Sequence, residues 1–94
     1  MLYAAKCYWP GVTPDDLEQV AERAGRAGLA ADSAGVVYLG SLLFAADDLV
    51  LCLFQGLSRT AVIRASGRLG IPRERLMDSL WIGPAQPATE GIPE

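Results

Sequence analysis

Apolar and polar positions along the chain fall into two kinds of period. From Leu2 to Trp9, aromatic and small apolar residues run on with one interruption, Lys6, until Pro10-Gly11 closes the segment. Such a run predicts a strand. A helix signal follows: Thr13 can cap, Pro14 suits the first helical position, and Asp15 and Asp16 sit where the helix dipole favours negative charge. Leu17, Val20, Ala21 and Ala24 then recur at helical spacing, with Glu18, Gln19, Glu22, Arg23 and Arg26 between them, predicting a helix over about 14–27. Val36 to Phe44 and Leu49 to Phe54 read as two strands joined by a short loop, Ala45 to Asp48. The second run is apolar at nearly every position, the pattern of a central strand covered on both faces. Ser58 opens a second helix with Val62, Ala65, Ser66 and Leu69 along one stripe, and Gly70-Ile71-Pro72 stops it. Met77 to Ile82 predicts the last strand, with Pro72 to Arg75 as a turn before it.

The order β-α-β-β-α-β predicts a ferredoxin-like α+β fold: a four-stranded antiparallel sheet with both helices on one face. Strict alternation puts Tyr38 and Leu42 on one face of their strand and Leu39 and Leu43 on the other, so neither face is charged. A sheet face of that kind is expected to meet a second copy, giving a homodimer or higher homo-oligomer of the dimeric α/β-barrel type with a cavity between the sheets. The domain is expected over 1–83. A Pro-rich tail over 84–94, with Pro84, Pro87 and Pro93, is expected to order only against a partner.

Composition narrows the chemistry. With 94 residues, 51% of them hydrophobic, the chain makes one small domain with more apolar surface than a monomer readily hides. Its net charge of −3 disfavours nucleic acid, whose binding rests on neutralising phosphates. No run is long enough to span a membrane, and Met1 leads directly into a strand with no basic segment ahead of it, so a cytoplasmic protein is expected. The absence of histidine removes Ser–His and Cys–His nucleophile pairs and histidine-based metal sites. Cys7 and Cys52 each lie in an apolar strand and read as buried free thiols. No phosphate loop, dinucleotide glycine fingerprint or nucleophile elbow is present.

One further likeness concerns longer stretches. Trp9-Pro10 through the Leu17 helix, Gly35-Val36-Val37-Tyr38-Leu39-Gly40-Ser41, Leu51-Cys52-Leu53-Phe54, Ala61-Val62-Ile63-Arg64 and Gly70-Ile71-Pro72 together resemble the domain of unknown function 4242 family of short bacterial proteins. The resemblance spans roughly residues 2–82. It implies a ferredoxin-like fold and dimers. Through the family's nickel-binding members it also implies a transition-metal role, although this chain lacks histidine and has Gly40 where a polar strand residue is expected.

Candidate site residues follow from the strand faces. Lys6 and Cys7 are neighbours in sequence, but alternation sends them to opposite faces, so they share no chemistry. Tyr8, Tyr38 and Trp81 are expected to line a pocket on the open sheet face, with Lys6 and Ser41 as polar anchors, and Lys6 is expected to meet a ligand carboxylate, Asp78 or Gln55. The ligand class this suits is a small apolar or aromatic molecule, with no cofactor and no metal site. A cofactor-free enzyme of the monooxygenase or isomerase kind is the alternative use of the same cavity. The pairs Asp15-Asp16 and Asp47-Asp48 are explained by helix and turn chemistry. Arg59, Arg64, Arg68, Arg73 and Arg75 read as a solvated face, with docking of an acidic surface or an anion as the alternative.

Overall fold

The computed structural model describes residues 1–28 and 35–84. Four strands, β1 (Leu2–Tyr8), β2 (Val36–Phe44), β3 (Leu49–Gly56) and β4 (Arg73–Ser79), alternate with two helices, α1 (Pro14–Arg26) and α2 (Arg59–Arg68). All pairings are antiparallel and the sheet order is β2-β3-β1-β4. The element order and sheet are those of a small ferredoxin-like α+β fold. Among the described residues no helix is long and apolar enough to cross a membrane. Apart from Pro84, the expected tail lies outside the described residues.

Each helix starts where its sequence provides a cap. Thr13 Oγ1 accepts from the Asp16 N–H at 3.2 Å, and the Asp16 carboxylate accepts from the Thr13 N–H at 2.9 Å. This reciprocal box satisfies two donors that the helix leaves unpaired. Ser58 Oγ accepts from the Ala61 N–H and does the same for α2.

Both helices pack on one sheet face. Val20 and Ala24 of α1 and Val62 and Ala65 of α2 join Tyr3, Ala5, Cys7, Val50, Cys52 and Phe54 in a single buried core. The side chains of β3 alternate between fully buried Val50, Cys52 and Phe54 on the helix face and half-buried Leu49, Leu51 and Leu53 on the other. Burial against helices on one side, and a bare but crowded sheet on the other, explains the continuous apolar run.

Two expectations about the strands need correction. The last strand spans Arg73–Ser79, so Arg73, Glu74 and Arg75 belong to it, and Leu80, Trp81 and Ile82 come after it. It is an edge strand, where outward charge is tolerated and blunts pairing with other chains. The second correction lies in β2. Tyr38 pairs with Phe54 and Gly40 with the adjacent Leu53, so Leu39 is an extra residue, a β-bulge. Gly40 holds φ +138°, a conformation that side-chain-bearing residues rarely adopt. Alternation reverses across the bulge. Val36 and Tyr38 before it, and Ser41 and Leu43 after it, all face the helices, whereas Leu42 and Phe44 face the open side. Tyr38 and Leu42 therefore lie on opposite faces, and Tyr38 and Leu43 share one.

Candidate functional site

The bulge makes a site on the helix side of the sheet. Residues three apart in a regular strand point to opposite faces, but here Tyr38 and Ser41 point the same way, and their hydroxyls meet at 2.6 Å. Ser41 donates onward to the Cys52 thiol, 3.2 Å away on the neighbouring strand. The Tyr38 ring packs on Phe54, with centroids 5.6 Å apart and planes tilted by 55°. That contact fixes the ring and leaves its hydroxyl at the strand edge.

Above this pair runs α1. Its Leu17, Glu18, Ala21 and Ala24 form the face turned toward β2. Two of those residues are alanines, and Gly40 has no side chain, so helix and strand do not close on each other. The result is an open groove of about 560 Å³ lined by Pro14 and those four α1 residues on one side and Tyr38, Leu39, Gly40, Ser41 and Leu43 on the other. Its walls are mostly apolar. Tyr38 and Ser41 are the hydroxyls on the floor, and Glu18 is the charged side chain at the wall.

Burial pushes the Tyr38 hydroxyl above its ordinary pKa, against the opposing effect of its hydrogen bond with Ser41. Behind it, Cys7 and Cys52 sit on the same face of adjacent strands, with Cys52 opposite Ala5 and Cys7 opposite Val50. Both thiols are free and fully buried. The Cys7 thiol donates to the Ala5 carbonyl at 3.6 Å; the neighbouring Cys52 and then desolvation push its pKa up, while Cys52 is lowered by the neighbouring Cys7 and by the hydrogen bond it accepts from Ser41, which together outweigh desolvation. Cys52 is thus the inner end of a polar chain that begins at the groove, with Cys7 beside it.

The expected pocket on the open face is divided by the structure. Lys6 and Tyr8 are on that face, opposite Leu51 and Leu49, whereas Tyr38 and Ser41 are on the helix face. Trp81 follows the end of β4, half-exposed, with its ring over Gly83. Lys6 lies 3.8 Å from Glu74, a surface pair of small energetic weight, in place of the Asp78 or Gln55 expected from sequence. Asp78 instead pairs with Arg59 at 2.8 Å, and Arg59 also donates to the Leu76 carbonyl, which ties the start of α2 to β4. Asp48, read as turn chemistry, adopts a left-handed conformation and accepts from the Gly11 N–H at 3.2 Å. Of the groove-lining residues only Tyr38 and Ser41 were candidates from the sequence; Pro14, Leu17, Glu18, Ala21, Ala24, Leu39, Gly40 and Leu43 were not. The available signal was a glycine inside a strand, at Gly40, which marks bulges and close approaches.

Among the described residues no group of three or more histidine, cysteine and carboxylate side chains is placed to hold a metal ion. Cys7 and Cys52 alone offer two soft donors, enclosed in the core.

No family model matches the chain, and no curated protein matches it. Among solved structures it is similar to SCO4226 from Streptomyces coelicolor A3(2), with a TM-score of 0.73 and 19% identity, over 88% of this chain and 100% of that one. At that identity the likeness establishes the ferredoxin-like fold alone.

Proposed function

We propose that the protein is a small-molecule-binding protein whose ligand lies in the groove between α1 and β2. The observation that carries this reading is the groove's construction: apolar walls converging on one hydrogen-bonded hydroxyl pair at its floor. Its volume, about 560 Å³, falls in the usual range for ligand pockets. An apolar or aromatic body fits against Leu17, Ala21, Leu39 and Leu43, and a single polar end meets Tyr38 and Ser41.

A thermal-shift screen against small apolar and aromatic metabolites tests this. A ligand at about a hundred times its Kd adds roughly 2.7 kcal/mol to stability, a shift of several degrees for a domain of this size. At least one compound is expected to raise Tm in the parent protein and to lose that effect in Ala21→Phe, whose exposed ring fills the groove. Stabilisation by no compound, or equal stabilisation of Ala21→Phe, would contradict the reading.

The open sheet face favours a second proposal, a homodimer. Across the sheet run the rows Phe44-Leu49-Tyr8, Leu42-Leu51-Lys6-Arg75 and Gly40-Leu53-Ala4-Met77. Leu42 is 50% exposed, Phe44 40% and Tyr8 58% in the single chain. Four strands of about seven residues cover roughly 440 Å² in flat projection, interrupted by Lys6 and Arg75, and apolar patches of that order often serve as contact surfaces. Stacking two such faces gives the dimeric α/β barrel, and a second copy is the occupant that matches a face this broad and flat. Sedimentation equilibrium at micromolar concentration is expected to return twice the 10.0 kDa chain mass. A single-chain mass would remove this proposal and leave the groove untouched.

A further inference from the structure

The polar groups at the groove floor and wall constrain the ligand. Ser41 Oγ lies 3.2 Å from the Cys52 sulfur, to which it donates, and 2.6 Å from the Tyr38 hydroxyl, a contact in which either oxygen can be the donor. Whichever donates, both oxygens keep lone pairs to offer the groove. Glu18, the one charged side chain among the described groove-lining residues, is also an acceptor when ionised.

The remaining electrostatics have the same sign. Among the described residues no lysine or arginine lines the groove. The feature that would attract an anion is the start of α1 at Pro14, and it is already answered. Thr13 accepts from the Asp16 N–H there, and Asp15, Asp16 and Glu18 place negative charge over the first turns. Apolar walls, acceptors at the floor and negative charge at the rim complement one kind of molecule.

We infer that the groove takes an apolar or aromatic molecule with a hydrogen-bond-donor head, an amine above all, and rejects the matching carboxylate. This inference rests on the groove being the ligand site and names the class of ligand. The ammonium hydrogens meet the Tyr38 and Ser41 lone pairs and the Glu18 carboxylate, while the hydrocarbon lies between the α1 alanines and Leu39 and Leu43.

The test compares three probes of one shape, phenethylamine, phenethyl alcohol and hydrocinnamate, by amide chemical-shift titration at neutral pH. Reversing the sign of the head beside one surface carboxylate is worth about tenfold in affinity. Phenethylamine is expected to bind about tenfold more tightly than hydrocinnamate, with the alcohol between them. Glu18→Gln, an exposed substitution, is expected to shrink that ratio severalfold. Equal or tighter binding of hydrocinnamate at the groove would overturn the donor-head inference and leave the groove reading standing. An unchanged ratio in Glu18→Gln would overturn it as well. If none of the probes perturbs Ala21 or Ser41, the groove reading itself fails and the inference falls with it.

Discussion

Phe54→Ala is expected to lower the stability of the fold by about 3–5 kcal/mol, the range for truncating a buried aromatic. Phe54 is the largest fully buried side chain, at the middle of the helix-facing side of the sheet. Its strand partners are Tyr3 on β1 and Tyr38 on β2, and its ring packs on that of Tyr38. Much of the surrounding core is valine, alanine and cysteine, side chains that reach too little to fill the vacated volume. A domain of this length holds about 5–14 kcal/mol in total, so the loss is a large share of it. Urea unfolding is expected to show a much lower midpoint with an unchanged slope. A loss below about 1.5 kcal/mol would mean that this core collapses around cavities far better than its composition suggests. The substitution also removes the wall on which the Tyr38 ring rests, so any groove ligand should bind more weakly to the folded fraction.

Gly56→Ala comes second. A Cβ at Gly56 would lie 2.6 Å from Val62 Cγ2, well inside contact distance. Val62 cannot yield easily. It is fully buried, and a β-branched side chain in a helix has essentially one rotamer. The backbone at Gly56 is pinned too, since its N–H donates to the Met1 carbonyl and its own carbonyl accepts from the Met1 amino group. Either α2 or the end of β3 has to move. Overpacking of this kind destabilises by about 1–3 kcal/mol. Val62→Ala removes the clashing methyl, so the double variant is expected to lose clearly less than the sum of the single losses, by more than about 0.5 kcal/mol. Strict additivity in urea unfolding would show that the contact does not limit the fold.

These residues also show which parts of the structure the sequence made legible. The order of elements followed from periodicity, because both helices carry their own caps and the β3 run is apolar throughout. The last strand was displaced because Trp81 and Ile82 have high strand propensity, while Arg73, Glu74 and Arg75 look like a turn. An edge strand inverts that logic, since its outward positions are free to be charged. The site was harder to read. Tyr38 and Ser41 were both picked out as polar or aromatic groups near a pocket, yet alternation assigns them to opposite faces. Only the extra residue at Leu39 brings their hydroxyls together, and an apolar residue followed by glycine carries that information weakly. The groove itself follows from missing volume at Ala21, Ala24 and Gly40. Small residues at helical spacing read as a well-packed face, and only the separation of α1 from an edge strand turns them into space.

The central claim is that ligands enter between α1 and β2 and do not bind on the open face. It is tested most directly by mapping amide chemical shifts while titrating the nitrogen-labelled protein with the best compound from the thermal-shift screen. Perturbations are expected to centre on Leu17, Ala21, Tyr38, Ser41 and Leu43. Shifts centred on Lys6, Tyr8, Leu42, Leu51 and Met77 would contradict the claim and return the site to the open sheet face.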